Sequence, residues 1–179
     1  MDHLMNSDLQ VDALAALFQD SFAASEGADE GALIAGLVRS ICETTPAEDL
    51  RSCVTDDGGR LIAAALFTRL RYDADPRRVY LMSPVAVTPE RQRQGVGTAM
   101  LRHALDGLRS DGVDIAITYG DPAYYGRVGF RQITTDQAAP PFPLQQPHGW
   151  LGQDLAGDGF KPVAGPSQCV PAFNNPAIW

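Results

Sequence analysis

The chain has 179 residues, 45% of them hydrophobic and 20% charged, which is ordinary for a folded globular protein and far from the disordered class. Fourteen Lys+Arg against 22 Asp+Glu leave a formal charge of −8, which argues against a nucleic-acid surface and gives no attraction to anionic membranes. No apolar run approaches the ~18 residues of a membrane span, and Cys42, Cys53 and Cys169 form no ligand cluster with His3, His103 or His148. The expectation is a cytoplasmic protein with reduced thiols and no metal.

Ser7 reads as the N-cap of a helix over residues 8–23, where Val11, Leu14, Leu17, Phe18 and Phe22 recur at helical spacing. Few residues precede it, so a strand ahead of it should be very short or absent. After Gly27 a second helix carries Leu33, Ile34, Leu37, Val38, Ile41 and Cys42 on one buried stripe, and Pro46 ends it. Leu50–Thr55 reads as a strand, Asp57-Gly58 as a hairpin turn, and Leu61–Phe67, apolar on both faces, as a central strand. A loop from Tyr72 to Arg78 leads to a strand over residues 79–87. Pro84 interrupts it; a proline removes a ladder donor, which implies an edge or a bulge.

A turn at Thr88-Pro89-Glu90 precedes Arg91-Gln-Arg-Gln-Gly-Val-Gly-Thr98 and a helix with the stripe Val96, Met100, Leu101, Ala104, Leu105 and Leu108. Residues 113–119 form a further strand. Gly120 to Phe130 holds a short helix with Pro122 at its start and returns to strand at Phe130. Eight of the 13 prolines fall between residues 134 and 179, together with Phe142, Trp150, Phe160, Phe173 and Trp179. The aromatics point to an ordered, irregular cover on the core. The expected division is a domain over residues 1–133 and an extension over 134–179 packed on it.

The segment Gln92 to Thr98 carries the chemistry. The first turn of a helix has N–H groups without intrahelical acceptors and the positive end of the dipole. Gly95 and Gly97 remove the side chains that would keep a phosphate from those amides, and Arg91 and Arg93 add positive charge. No Gly-Lys pair exists for a Walker loop, and Met100 occupies the third small position of a dinucleotide fingerprint.

Gln92-x-x-Gly95-x-Gly97 behind Pro84-Val-Ala-Val87 resembles the acetyl-CoA-binding signature of the GCN5-related N-acetyltransferases (GNAT family). Gly120-Asp-Pro-Ala-Tyr-Tyr-Gly-Arg-Val-Gly-Phe130 is similar to the element of a bacterial acetyltransferase subgroup, with Tyr125 four residues before Gly129. The resemblance implies a mixed, mainly antiparallel sheet flanked by helices. Parallel strands 79–87 and 113–119 would splay, with acetyl-CoA between them. It implies contacts from Val85, Ala86, Val87, Gln92, Arg93, Gln94, Gly95, Val96, Gly97 and Thr98, with the backbone groups of Val85 and Val87 left open to the pantetheine. Tyr125 would be the general acid for the leaving thiolate, with Tyr124 packing beside it.

The implied reaction moves acetyl to a primary amine, with a small-molecule acceptor favoured over a protein by the acidic charge. No Asp or Glu lies between 79 and 87 to act as base; Glu90, Glu26, His148 and a water chain are the alternatives. Phe142, Trp150 and Phe173 are expected to line an acceptor pocket or a homodimer contact. The rival readings are a non-catalytic acyl-CoA-binding module and a nucleotide-binding protein.

Overall fold

A computed structural model describes residues 1–6 and 10–179, so the expected N-cap at Ser7 lies outside the described residues. The chain divides into two units, residues 1–67 with 84–104 and residues 68–83 with 105–179. Two strands and one helix run through both.

In the first unit β1 (Asp2–Met5) pairs antiparallel with β2 (Leu50–Asp56), Asp2 facing Asp56 and Met5 facing Cys53. A short leading strand is thus present, and its exposed–intermediate alternation suits a sheet edge. Asp57 N–H bonds Arg60 C=O at 2.9 Å across Gly58 (φ 68) and Gly59 (φ 89), the left-handed pair that a tight hairpin requires. β3 (Leu61–Tyr72) follows; Ile62 to Phe67 are all buried, as expected of a central strand. It runs five residues further than the apolar stretch predicts. β4 (Val79–Val87) lies beside it. The short connection from Tyr72 to Val79 leaves no room for a crossover, so β4 returns antiparallel to β3.

Helices α1 (Val11–Glu26) and α2 (Ala28–Thr44) meet at Gly27, whose φ of 104 permits the sharp break. Their close approach depends on Gly31, where a Cβ would come within 2.6 Å of the Gln19 carbonyl. The buried stripe of α2 is Gly31, Ala35, Val38 and Ile41, whereas Leu33, expected inside, is 58% exposed. The stripe turns toward small residues because they let α1 and α2 approach. Helix α3 (Val96–Ser110) buries all six residues of its expected stripe.

In the second unit β5 (Ile115–Tyr119) pairs parallel with β4, from Val79↔Ile115 to Met82↔Thr118. After α4 (Pro122–Tyr125) and β6 (Arg131–Gln132), β7 (Trp150–Asp154) inserts between β5 and β6, antiparallel to both. The segment after residue 133 therefore supplies an interior strand as well as a cover. β8 (Ser167–Gln168) pairs with the end of β3 at Arg71 and Tyr72.

Three of the five tail aromatics are core, while Phe142 and Phe160 are half-buried. Trp150, Phe173 and Trp179 are at most 2% exposed. The indoles donate to Ala138 C=O and Phe173 C=O at 2.9 and 3.0 Å, so their polar edges are satisfied. The expectation that Trp150 and Phe173 line a pocket or a homodimer contact is thereby corrected, since their rings offer no surface. A clasp holds the tail to the β3–β4 connection. The Asp75 carboxylate accepts from Arg77 and from Ala164 N–H, while Arg77 donates to Lys161 C=O and Pro162 C=O. Among the described residues no helix is long and apolar enough to cross a membrane.

Candidate active site

The turn ahead of α3 belongs to the first unit. The first intrahelical bond runs from Ala99 N–H to Gly95 C=O at 2.9 Å, so the amides of Val96, Gly97 and Thr98 precede any intrahelical acceptor. Arg93 (φ 59) and Gly95 (φ 82) are both left-handed. For Arg93 that conformation costs about 1–2 kcal/mol. Left-handed residues alternating along a turn aim successive N–H groups toward one concavity, an anion nest. A Cβ on Gly95 would meet nothing within 4 Å, so its requirement is conformational.

The turn is braced by its own side chains. Gln92 Nε2 donates to Val87 C=O at 3.1 Å and Gln94 Nε2 to Glu90 C=O at 2.8 Å. Arg91 pairs with Asp57, and Arg60 with Glu90. The positive charge expected from Arg91 is therefore largely neutralised. Arg93 is exposed and makes no ion pair among the described residues.

Val87 requires a second correction. Its carbonyl is not open, because Ser21 Oγ of α1 donates to it at 3.0 Å beside Gln92. Both lone pairs are thus engaged. Thr88 N–H bonds Ile62 C=O at 2.8 Å, and antiparallel partners alternate, so the backbone groups of residues 85 and 87 face away from β3. Ala86 is buried between half-buried Val85 and Val87. Burial of β4 is continuous from Val79 to Met82 and alternates from Ser83 onward, and Pro84 falls beyond the last β4–β5 pair, Met82↔Thr118. Arg78 C=O accepts from Ile115 N–H of β5, whereas Thr88 N–H bonds β3, so even-numbered positions face opposite neighbours at the two ends of β4 and the alternation slips once between them, in keeping with the expected bulge.

The tyrosine element belongs to the second unit. Asp121 caps α4, its Oδ1 accepting from Ala123 N–H at 2.8 Å, and Pro122 opens the helix. Gly129 (φ 99) then turns the chain so that Phe130 N–H reaches back to Tyr125 C=O at 3.3 Å. The Tyr125 ring meets Tyr124 at 5.0 Å and Phe130 at 6.0 Å, both edge-on. Gly120 lies so close that a Cβ there would sit 2.7 Å from Tyr125 Cε2. Thr118, on the neighbouring strand β5, is buried, and its Oγ1 donates to Met82 C=O at 2.8 Å. Burial pushes the Tyr125 phenol above the ordinary tyrosine range, with Tyr124 adding to it. The group is protonated at neutral pH.

Of the bases considered, Glu90 is committed to Arg60, and Glu26 and His148 are exposed. Among the described residues no group of three or more His, Cys, Asp or Glu could hold a metal ion. Sequence reasoning missed Ser21 and Thr118. The signal for Thr118 was available: it is a hydroxyl that follows the apolar run Ile115-Ala-Ile117, and a buried hydroxyl needs a partner.

Comparison with known proteins places this arrangement in a family. The N-acetyltransferase YjhQ of Escherichia coli (strain K12) is 32% identical over 126 residues, 68% of this chain and 70% of that one. YhbS of the same organism is 28% identical over 130 residues, 73% of this chain and 65% of that one, just under two thirds of its length. The crystal structure of Escherichia coli YhbS in complex with CoA superposes with a TM-score of 0.73 at 25% identity, covering 97% of this chain and 92% of that one. Tetrahymena GCN5, at 16% identity and a TM-score of 0.63 over 89% of this chain and 99% of that one, shares the fold. With residues 6–133 matching the model of the acetyltransferase (GNAT) domain, the chain belongs to the GNAT acetyltransferase family.

Proposed function

We propose that this protein transfers the acetyl group of acetyl-CoA to a primary amine. The observation that carries the reading is the run of first-turn amides behind two left-handed residues on an exposed turn that follows a strand. The N–H groups from Arg93 to Thr98 would take the pyrophosphate, with the Arg93 guanidinium adding charge. The strand residues Val85, Ala86 and Val87 would meet the pantetheine. Because the Val87 carbonyl is engaged, Val85 C=O and the N–H groups of Val85 and Val87 are the groups left to do so.

The chemistry follows from the thioester. A neutral amine attacks the acetyl carbonyl, and an amide N–H of β4 stabilises the developing oxyanion. The C–S bond breaks with its electron pair on sulfur. Tyr125 gives its proton to that thiolate, the proton lost by the amine passes to water, and water returns one to the phenolate. Catalysis then rests on positioning and polarisation.

The charge of −8 supports a cationic small-molecule amine as acceptor. Free cysteines, with the Cys53 thiol pushed up to about 12 by burial, support a cytoplasmic setting. Residues 134–179 are read as part of the acetyltransferase domain, since β7 pairs with β5.

Two measurements test this. In a thermal-shift comparison acetyl-CoA should stabilise the protein while ATP and NAD do not; a ligand at 100 times its Kd contributes about 2.7 kcal/mol. Thiol release from acetyl-CoA over a panel of primary amines should then exceed the uncatalysed rate. Binding without turnover on any amine would point to a non-catalytic acyl-CoA-binding module, and stabilisation by ATP or NAD alone to a nucleotide-binding protein.

A further inference from the structure

We propose that Ser21 of α1 is a positioning residue that holds β4 and the pyrophosphate turn in the register a whole coenzyme can span, a role that rests on acetyl-CoA lying across both. The joint between the two is the peptide linking Val87, where β4 ends, to Thr88, where the turn begins. Three hydrogen bonds fix that peptide. Its N–H, on Thr88, donates to Ile62 C=O of β3 at 2.8 Å. Its carbonyl, on Val87, accepts from Ser21 Oγ at 3.0 Å and from Gln92 Nε2 at 3.1 Å. The Gln92 bond is local to the turn and exposed, so water competes for it. Ser21 comes from 66 residues earlier in the chain and is 6% exposed, so it supplies the shielded bond.

The place of Ser21 in its helix points the same way. The buried residues of α1 are Leu14, Ala15, Leu17, Phe18 and Ser21, and of these only Ser21 is polar. A hydroxyl inside a helix ordinarily bonds back to a carbonyl one turn earlier. Ser25 does so, reaching Ser21 C=O at 3.3 Å, whereas Ser21 donates across to the end of β4. Fixing the Val87–Thr88 plane fixes the direction in which the chain leaves the strand. It therefore sets where the amides of residues 93–98 lie relative to the N–H groups of Val85 and Val87. A coenzyme that meets both sets is a linked ligand. Its second set of contacts counts in full only when the separation of the two sites matches its own length. Ser21 is thus a determinant of how well the two halves of the donor are held together, and it touches neither half.

The test follows enzymatic thiol release with hydroxylamine, a nucleophile small enough to need no acceptor pocket. Two donors are compared: acetyl-CoA, and S-acetylpantetheine, which keeps the thioester and the pantetheine amides but has no pyrophosphate. The proteins are wild type, Ser21→Ala and Ser21→Thr. Ser21→Ala should lower kcat/KM for acetyl-CoA about fivefold, in the range for one lost hydrogen bond, mainly by raising KM. For S-acetylpantetheine the same variant should stay within about twofold of wild type, because a donor that meets the strand alone needs no register. Ser21→Thr, which keeps the hydroxyl, should recover most of the loss. An equal proportional loss with both donors, no loss with either, or a folded threonine variant as slow as alanine overturns the role of Ser21 while leaving acetyl transfer in place. A wild type that releases thiol from neither donor above the uncatalysed rate overturns the transfer itself. Should alanine unfold the protein, Ser21→Cys, a weaker donor of similar size, carries the same two-donor comparison.

Discussion

Between Gln92 and Gly95 the side chains are exposed and two left-handed residues shape the backbone, the recognition element we propose, whereas around Tyr125 the backbone is tied into pairing and the phenol ring is packed edge-on against Tyr124 and Phe130. The first region depends on what is missing: no Cβ at Gly95, no helical acceptor for the amides. The second depends on close contact, down to a glycine at 120 that admits the tyrosine ring. Substitutions should therefore act on the first through conformation and access, and on the second through packing and proton transfer.

Tyr125→Phe gives the largest expected effect and separates the two regions most cleanly. Turnover should fall about 100-fold, the lower range for loss of a general acid, while acetyl-CoA affinity stays within about twofold. A parallel loss of affinity, measured by calorimetry, would show that the ring binds and does not donate. Gly97→Val should do the converse. A branched side chain on the amide surface should weaken acetyl-CoA binding at least about tenfold, equivalent to 1.4 kcal/mol, with kcat at saturation retained; undiminished affinity would remove the pyrophosphate from this turn.

A pair of alanine substitutions sharpens the contrast in stability. Gly120→Ala drives a methyl into Tyr125 and should cost about 1–3 kcal/mol, the range for overpacking. Gly95→Ala meets open space and should cost only the left-handed conformation, about 1 kcal/mol. Denaturant melts that ranked the two in reverse order would contradict the packing assigned to Tyr125.

The smallest effect concerns the clasp of the second unit. Its hydrogen bonds from Arg77 and Ala164 hold the Asp75 carboxyl well below the usual carboxylate range. A depressed pKa contributes stability that is complete above the unfolded value of about 3.9 and is lost as pH falls below it. Asp75→Asn should lower Tm by a few degrees at neutral pH and flatten the decline of Tm below about pH 4. An unchanged acid profile would mean that the clasp carries no weight in folding.

What the sequence disclosed follows the same division. The turn was legible because its glycines stand directly ahead of a helical pattern, and the α3 stripe because its six apolar positions repeat at helical spacing. Tyr125 was legible only through a family resemblance. Thr118 and Ser21 belong to no motif, since their roles come from residues far away in the chain. β7 was hidden by Gly152, which interrupts a strand pattern; the structure needs it because a Cβ there would fall 2.5 Å from the Phe160 ring. Leu33 was misplaced because the α1–α2 packing selects small residues over large ones.

The late strand β7 has a consequence for how the protein is made. On the ribosome, β5 emerges with β4 already available, but its other edge has no partner until residues 150–154 leave the tunnel. An open, apolar strand edge is a template for pairing with another chain. Nascent chains stalled before that point should aggregate or recruit chaperones, and release should coincide with the arrival of Trp150 at the edge of β5.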